Sequence, residues 1–137
     1  KVLEAQDREK IAVGAALGLK LDPLKDILVR LYGHMGARGE TLHEVIRSNM
    51  AHVAFRPRKE LGDMTVVLQE DIPYGLVPAA SVGRMLGVPT PTLDALIHLG
   101  SIVSGIDYWE TGVTVERLGL TGMTAKQITN YANTGER

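Results

Sequence analysis

The spacing of the apolar residues constrains this 137-residue chain more than any other feature. They recur at intervals of three and four nearly throughout, and no run alternates convincingly at period two. The punctuation between them is of the helical kind. Ile11, Ala12, Ala15 and Ala16 form a stripe that follows an acidic, amide-bearing start around Glu4 to Asp7 and ends at Gly18. Asp22 before Pro23 reads as an N-cap and a first-turn proline, because the carboxylate accepts orphan amide hydrogens and proline has none of its own. Leu24, Ile27, Leu28 and Leu31 then repeat until Gly33. Thr41 with Glu44, and Thr124 with Gln127, form capping boxes, the second opening a last helix that Gly135 closes. An apolar segment from Met64 through Leu68 ends in Glu70-Asp71-Ile72-Pro73, where proline's missing donor predicts a boundary or kink close to Asp71. Leu76 to Leu86 reads as helical despite Pro78 and stops at Gly87. In the turn Gly87-Val88-Pro89-Thr90-Pro91, Thr90 is placed to cap and Pro91 to take the first helical position. The helix that follows carries Leu93, Leu96, Ile97, Gly100 and Ser104 on one face, and Thr114 is expected to open a further short helix through Leu118. The expected fold class is all-α, a bundle of six to eight helices.

At roughly 100 to 200 residues per domain, residues 1–137 are expected to form one domain with a core of its own. The balance of 15 Lys plus Arg against 16 Asp plus Glu leaves a net charge of −1, without the basic footprint of a nucleic-acid or anionic-membrane binder. Zero cysteines remove disulfide frameworks, thiol nucleophiles and Cys-based metal sites, and fit a cytoplasmic protein. No apolar run approaches the roughly 18 residues of a spanning helix. The chain begins at Lys1 rather than Met, so its visible start is expected not to be the natural one.

Few residues read as chemistry. His34, His43, His52 and His98 show no pairing at the helical offsets that put two metal ligands on one face, so no metal site is expected. His98 lies off the apolar stripe and reads as a surface side chain, while His34 acts as a base only if the fold brings it a carboxylate. Gly33, Gly36 and Gly39, spaced by three, do not make the strand-to-helix phosphate cradle. The basic run Arg56 to Lys59 reads as a solvated turn. The informative stretch is Gln69-Glu70-Asp71-Ile72-Pro73-Tyr74-Gly75-Leu76-Val77-Pro78. It puts Asp71 where helix geometry fails, either to cap amides or to point into a cleft and hold an imidazole in one tautomer.

That stretch, with Gly87-Val88-Pro89-Thr90-Pro91 and the later Leu118-Gly-Leu-Thr-Gly-Met-Thr124, resembles the C-terminal helical domain of the octopine/nopaline (opine) dehydrogenase family over nearly the whole chain. The resemblance implies a domain of an oxidoreductase that condenses an amino acid with a 2-oxo acid and reduces the imine with NAD or NADP as cofactor. It also implies an N-terminal Rossmann domain as partner, absent from this chain, that binds most of the cofactor. In the family a histidine near the start of the helical domain pairs with the aspartate of the Glu-Asp-x-Pro segment. Asp71 matches that aspartate as the catalytic residue, and the matching histidine is expected upstream of Lys1. Glu70 and Tyr74 are expected to shape the substrate cleft, with Gly75 and Pro78 setting its backbone. Several members carry an Arg-Tyr pair shortly before the Glu-Asp, but Val66 and Val67 stand here, so either another cation such as Arg84 or Arg38 clamps a substrate carboxylate or the substrate is bound differently. Two other readings stand beside this one: a ketopantoate-reductase-like ketone reductase domain, and a non-catalytic helical module that dimerises. A helical domain cut from its partner exposes an apolar docking face, so a homo-oligomer is expected.

Overall fold

The computed structural model describes residues 1–54 and 65–136. Their regular elements, in chain order, are α1 (Val2–Ala16), α2 (Leu24–Tyr32), α3 (Leu42–Ser48), α4 (Met50–Ala54), α5 (Thr65–Asp71), α6 (Val77–Leu86), α7 (Pro91–Ser104), α8 (Tyr108–Thr111) and α9 (Ala125–Thr134). A 3₁₀ turn, Gly33–Met35, continues α2, and a π-helical turn, Ile72–Leu76, joins α5 to α6. No strand occurs among the described residues, so the fold is all-α. The described residues form nine α-helices rather than six to eight, because α4 and α8 are single short turns of helix with no extended apolar period to announce them. Among the described residues no helix is long and apolar enough to cross a membrane.

The helices gather into two compact units, one of residues 1–21 and the described part of 63–137, the other the described part of 22–62. In the smaller unit α2 and α3 close on Leu28, Ala37, Leu42 and Val45. The predicted box is present: Thr41 Oγ1 accepts from the Glu44 amide at 3.2 Å, and Glu44 Oε2 accepts from the Thr41 amide at 3.0 Å. Asp22 does not cap α2. Pro23 occupies the N-cap position, and the Asp22 carboxylate instead accepts from Arg30 Nη1 at 2.6 Å, one full side of the helix away. The basic run Arg56 to Lys59 lies outside the described residues.

The larger unit is centred on Ile72, Leu76, Val77, Ala80, Leu93, Ile97 and Tyr108, with a second cluster at Val115, Leu120 and Ile128 under α9. The π turn that feeds this core follows from two prolines. Pro73 has no amide to continue α5, and the Val77 amide reaches back five residues to the Ile72 carbonyl. The next such bond would need an N–H from Pro78, which has none. The Pro73 carbonyl is thereby released, and the Val113 amide takes it at 2.9 Å, tying the segment after α8 to the kink. The kink also drives Ile72 into α7 at Gly100, where an added Cβ would meet Ile72 Cδ1 at once.

On α1 the stripe differs from the expected one. Val13 and Gly14 are buried while Ala12 and Ala15 are exposed, because Val13 packs against Gly83 of α6 and Leu21 folds back onto Gly14, taking the place a side chain would need. Thr114 opens no helix: one i to i+4 bond, from the Leu118 amide to the Thr114 carbonyl at 3.0 Å, closes a turn that Gly119 diverts at φ +67°. Gly87 (φ +73°) and Gly135 (φ +75°) end α6 and α9 as their positions predict.

The start of α7 departs most from the local pattern. Pro91 takes the first helical position and Thr90 the N-cap, yet Thr90 makes no side-chain cap, and its buried hydroxyl has no hydrogen-bond partner among the described residues. Glu9 of α1 caps α7 in its place. Its two carboxylate oxygens accept from the Thr92 amide at 2.8 Å and the Leu93 amide at 2.9 Å.

Candidate functional site

Asp71 is the last residue of α5, held where the regular ladder gives way to the π turn. Its exposed carboxylate borders a cleft of about 450 Å³. Leu68 of α5 and Ile72 and Leu76 of the π turn form the floor beside it. Leu96, Leu99, Gly100 and Val103 of α7 make one wall, and Leu3 and Gln6 of α1 complete the lining. The only polar side chains the described residues give this cleft are those of Asp71 and Gln6. Asp71 has no hydrogen-bond or ion partner among the described residues. A carboxylate at the edge of an apolar cleft is well placed to accept a hydrogen bond from an imidazole and to stabilise its charged form, since no described residue competes for its lone pairs.

The other expected site residues of the larger unit are not gathered there. Glu70 is exposed and outside the cleft lining, and Tyr74, 68% exposed, points away from the core. Gly75 has open space where a side chain would stand, so the backbone there does not require glycine. Arg84 is engaged elsewhere. It pairs with Asp94 at 2.9 Å, its guanidinium lies 3.6 Å from the Trp109 ring centroid, and it lines a separate hollow with Ser81, Thr114 and Glu116. In that hollow the Thr114 hydroxyl, with the Glu116 amide, holds the Glu116 carboxyl below the ordinary range against slight desolvation. Arg38 and His34 belong to the smaller unit, and the side chains of Val66 and Val67 lie outside the described residues. His98 is exposed on α7 and lines a different hollow from Asp71. Among the described residues no three of His, Cys, Asp and Glu come together as metal ligands.

Sequence reasoning missed Gln6 and Glu9. Burial works to raise the Glu9 pKa, but the Thr92 hydroxyl, the Leu93 and Thr92 amides and the neighbouring Arg8 charge outweigh it and hold the carboxyl below the ordinary range. Glu9 is therefore an anion at neutral pH. In the smaller unit a further pair went unread: buried Asn49 donates from Nδ2 to His52 Nδ1 at 2.6 Å, which puts the proton of the neutral ring on Nε2.

Comparison with known proteins bears on the cleft. Over 125 residues the chain is 34% identical to the opine dehydrogenase of Arthrobacter sp. (strain 1C), an alignment that takes in 91% of this chain. It spans only a third of that relative's length, 33%. Residues 1–104, which contain α1, Asp71 and α7 and so the whole described lining of the cleft, match the family described as NAD/NADP octopine/nopaline dehydrogenase, alpha-helical domain. The chain belongs to that family.

Proposed function

We propose that this chain is the substrate-binding and catalytic helical domain of an NAD(P)H-dependent opine dehydrogenase. In this reading an amino acid and a 2-oxo acid condense to an imine with loss of water, and reduction of its C=N bond gives a secondary amine. The observation that carries it is the Asp71 carboxylate, set without a partner among the described residues at the edge of an apolar cleft, in a chain of this family. Asp71 orients an imidazole supplied from outside the described residues, fixes its tautomer and stabilises its protonated form, so that the ring can take a proton from the attacking amine, give it to the hydroxyl that leaves as water, and supply a proton to the nitrogen as the C=N bond is reduced. Leu68, Leu96, Leu99 and Val103 give the imine an apolar surround, which keeps water out once the exposed Leu99 and Val103 are covered.

The described residues do not form a dinucleotide cradle. No strand runs into a glycine turn, and the amides that open α7 are already taken by Glu9. We assign the cofactor to an N-terminal nucleotide-binding domain, in keeping with the fraction of the relative that this chain spans, and derive no step through it. We also place the enzyme in the cytoplasm as a homo-oligomer. Exposed Leu99, Ile102 and Val103 on α7 support a covered face.

The test is cofactor oxidation by the complete protein. Turnover is expected to require both a 2-oxo acid and an added amino acid. Oxidation with the 2-oxo acid alone would point to a ketone reductase. Asp71→Asn, which misdirects the tautomer of the imidazole, is expected to lower kcat at least about tenfold, and unchanged turnover removes the catalytic role.

A further inference from the structure

We propose that Glu9 is a positioning residue for the cleft: its grip on the first turn of α7 sets the face that α1 turns toward Asp71. This rests on the cleft being the substrate site. Leu3, Gln6 and Glu9 follow one another at three-residue spacing along α1, so neighbouring positions on one side of the helix carry the cleft wall and the clamp. On α7 the pattern repeats: Thr92 donates its amide to the clamp, and Leu96, Leu99 and Val103, at spacings of three and four, form the opposing wall.

A carboxylate that binds two adjacent backbone amides, at 2.8 and 2.9 Å, has little rotational freedom. Apolar packing alone would let α1 roll or slide by a fraction of a residue at small cost, since leucine and valine contacts are not directional. The two bonds remove that freedom. They fix the register of α1 against α7, and with it the placing of Leu3 and Gln6 opposite Asp71, although Glu9 itself does not line the cleft. Gln6 is thereby held as the one uncharged hydrogen-bonding side chain that the described residues present to a ligand there.

The test uses Glu9→Ala and Glu9→Gln in the complete protein, the glutamine variant keeping the size and one accepting oxygen so that it folds even if the alanine variant does not. Both are expected to raise KM for the amino acid, by about tenfold for alanine and less for glutamine, with kcat within about twofold of wild type. The methyl resonances of Leu3, Leu99 and Val103 are expected to shift, while those of Leu28 and Leu42 in the smaller unit stay in place. A lower melting temperature with unchanged KM and unmoved cleft methyls would make Glu9 a purely structural cap and overturn the proposal. Full turnover in Asp71→Asn would remove the catalytic reading alone, and the methyl shifts would still decide the role of Glu9.

Discussion

Two helices of this molecule receive their N-terminal acceptors in opposite ways. At α3 every partner lies within five residues: Glu44 accepts from the amides of Glu40 and Thr41 and returns its own amide to the Thr41 hydroxyl. At α7 the acceptor comes from α1, 83 and 84 residues away in the chain, and the local threonine stands idle. The first arrangement can form as soon as the segment turns helical, whatever the rest of the chain does. The second exists only once α1 has packed against α7, so it ties the start of one cleft wall to the placing of the other. A local cap starts a helix, while a remote one also says where that helix must be.

The largest effect is expected from breaking the remote cap. Glu9→Ala leaves two amides of a partly buried helix end without an acceptor, and about 2 kcal/mol of stability should go with it at neutral pH. The sign with pH follows from the depressed pKa. A carboxyl whose folded pKa lies below its unfolded value contributes stability that is fully present above the unfolded value and fades as pH falls through the folded one. Denaturant unfolding of wild type and Glu9→Gln at a series of pH values should therefore show a gap that is full at neutral pH and narrows below about pH 4. A gap independent of pH would mean that the charge of Glu9 does not matter. Breaking the local cap is expected to cost less: Thr41→Ala should lose about 1 kcal/mol, read in the same unfolding assay. Glu44 is also held below the ordinary carboxylate range, mainly by the Thr41 and Glu40 amides. Because it is fully exposed, its contribution should weaken with added salt more than that of Glu9.

The same contrast explains what the amino-acid order disclosed. The boxes at Thr41 and Thr124, the stops at Gly87 and Gly135 and the break at Asp71 each depend on residues a few positions apart, and all are where the pattern puts them. Asp71 stood out as a candidate for that reason, since a proline close to an acid marks a place where a helix cannot continue. Leu3 and Gln6 carried no such mark. They enter the cleft because α1 crosses α7, a matter of tertiary packing that no local spacing encodes. Arg84 shows the converse. A cation of the right type was visible in the chain, but nothing near it in sequence told that Trp109 and Asp94 would engage it away from Asp71. On α1 itself the apolar count favoured Ala12 and Ala15 over Val13 and Gly14, because the partners of the buried face, Gly83 of α6 and Leu21, lie beyond the helix.

The smallest expected effect separates the two kinds of cap most sharply. By its position before Pro91, Thr90 should be the residue that starts α7, and replacing a capping threonine ordinarily costs about 1 kcal/mol. In the folded chain its hydroxyl is buried and bonds to no described residue, while its methyl packs 2.9 Å from where a Gly83 Cβ would stand. Thr90→Val keeps that methyl and replaces the unpaired hydroxyl with a second one of nearly the same size. Among the described residues the fold loses no hydrogen bond and no longer buries an oxygen without a partner, so the change should be within about 0.5 kcal/mol of neutral and on the stabilising side if anything. A loss of 1 kcal/mol or more in the unfolding assay would return the cap to Thr90 and reduce Glu9 to a helper. Near-neutrality, beside a large loss in Glu9→Ala, would leave the start of α7 resting on a residue from the far end of the chain.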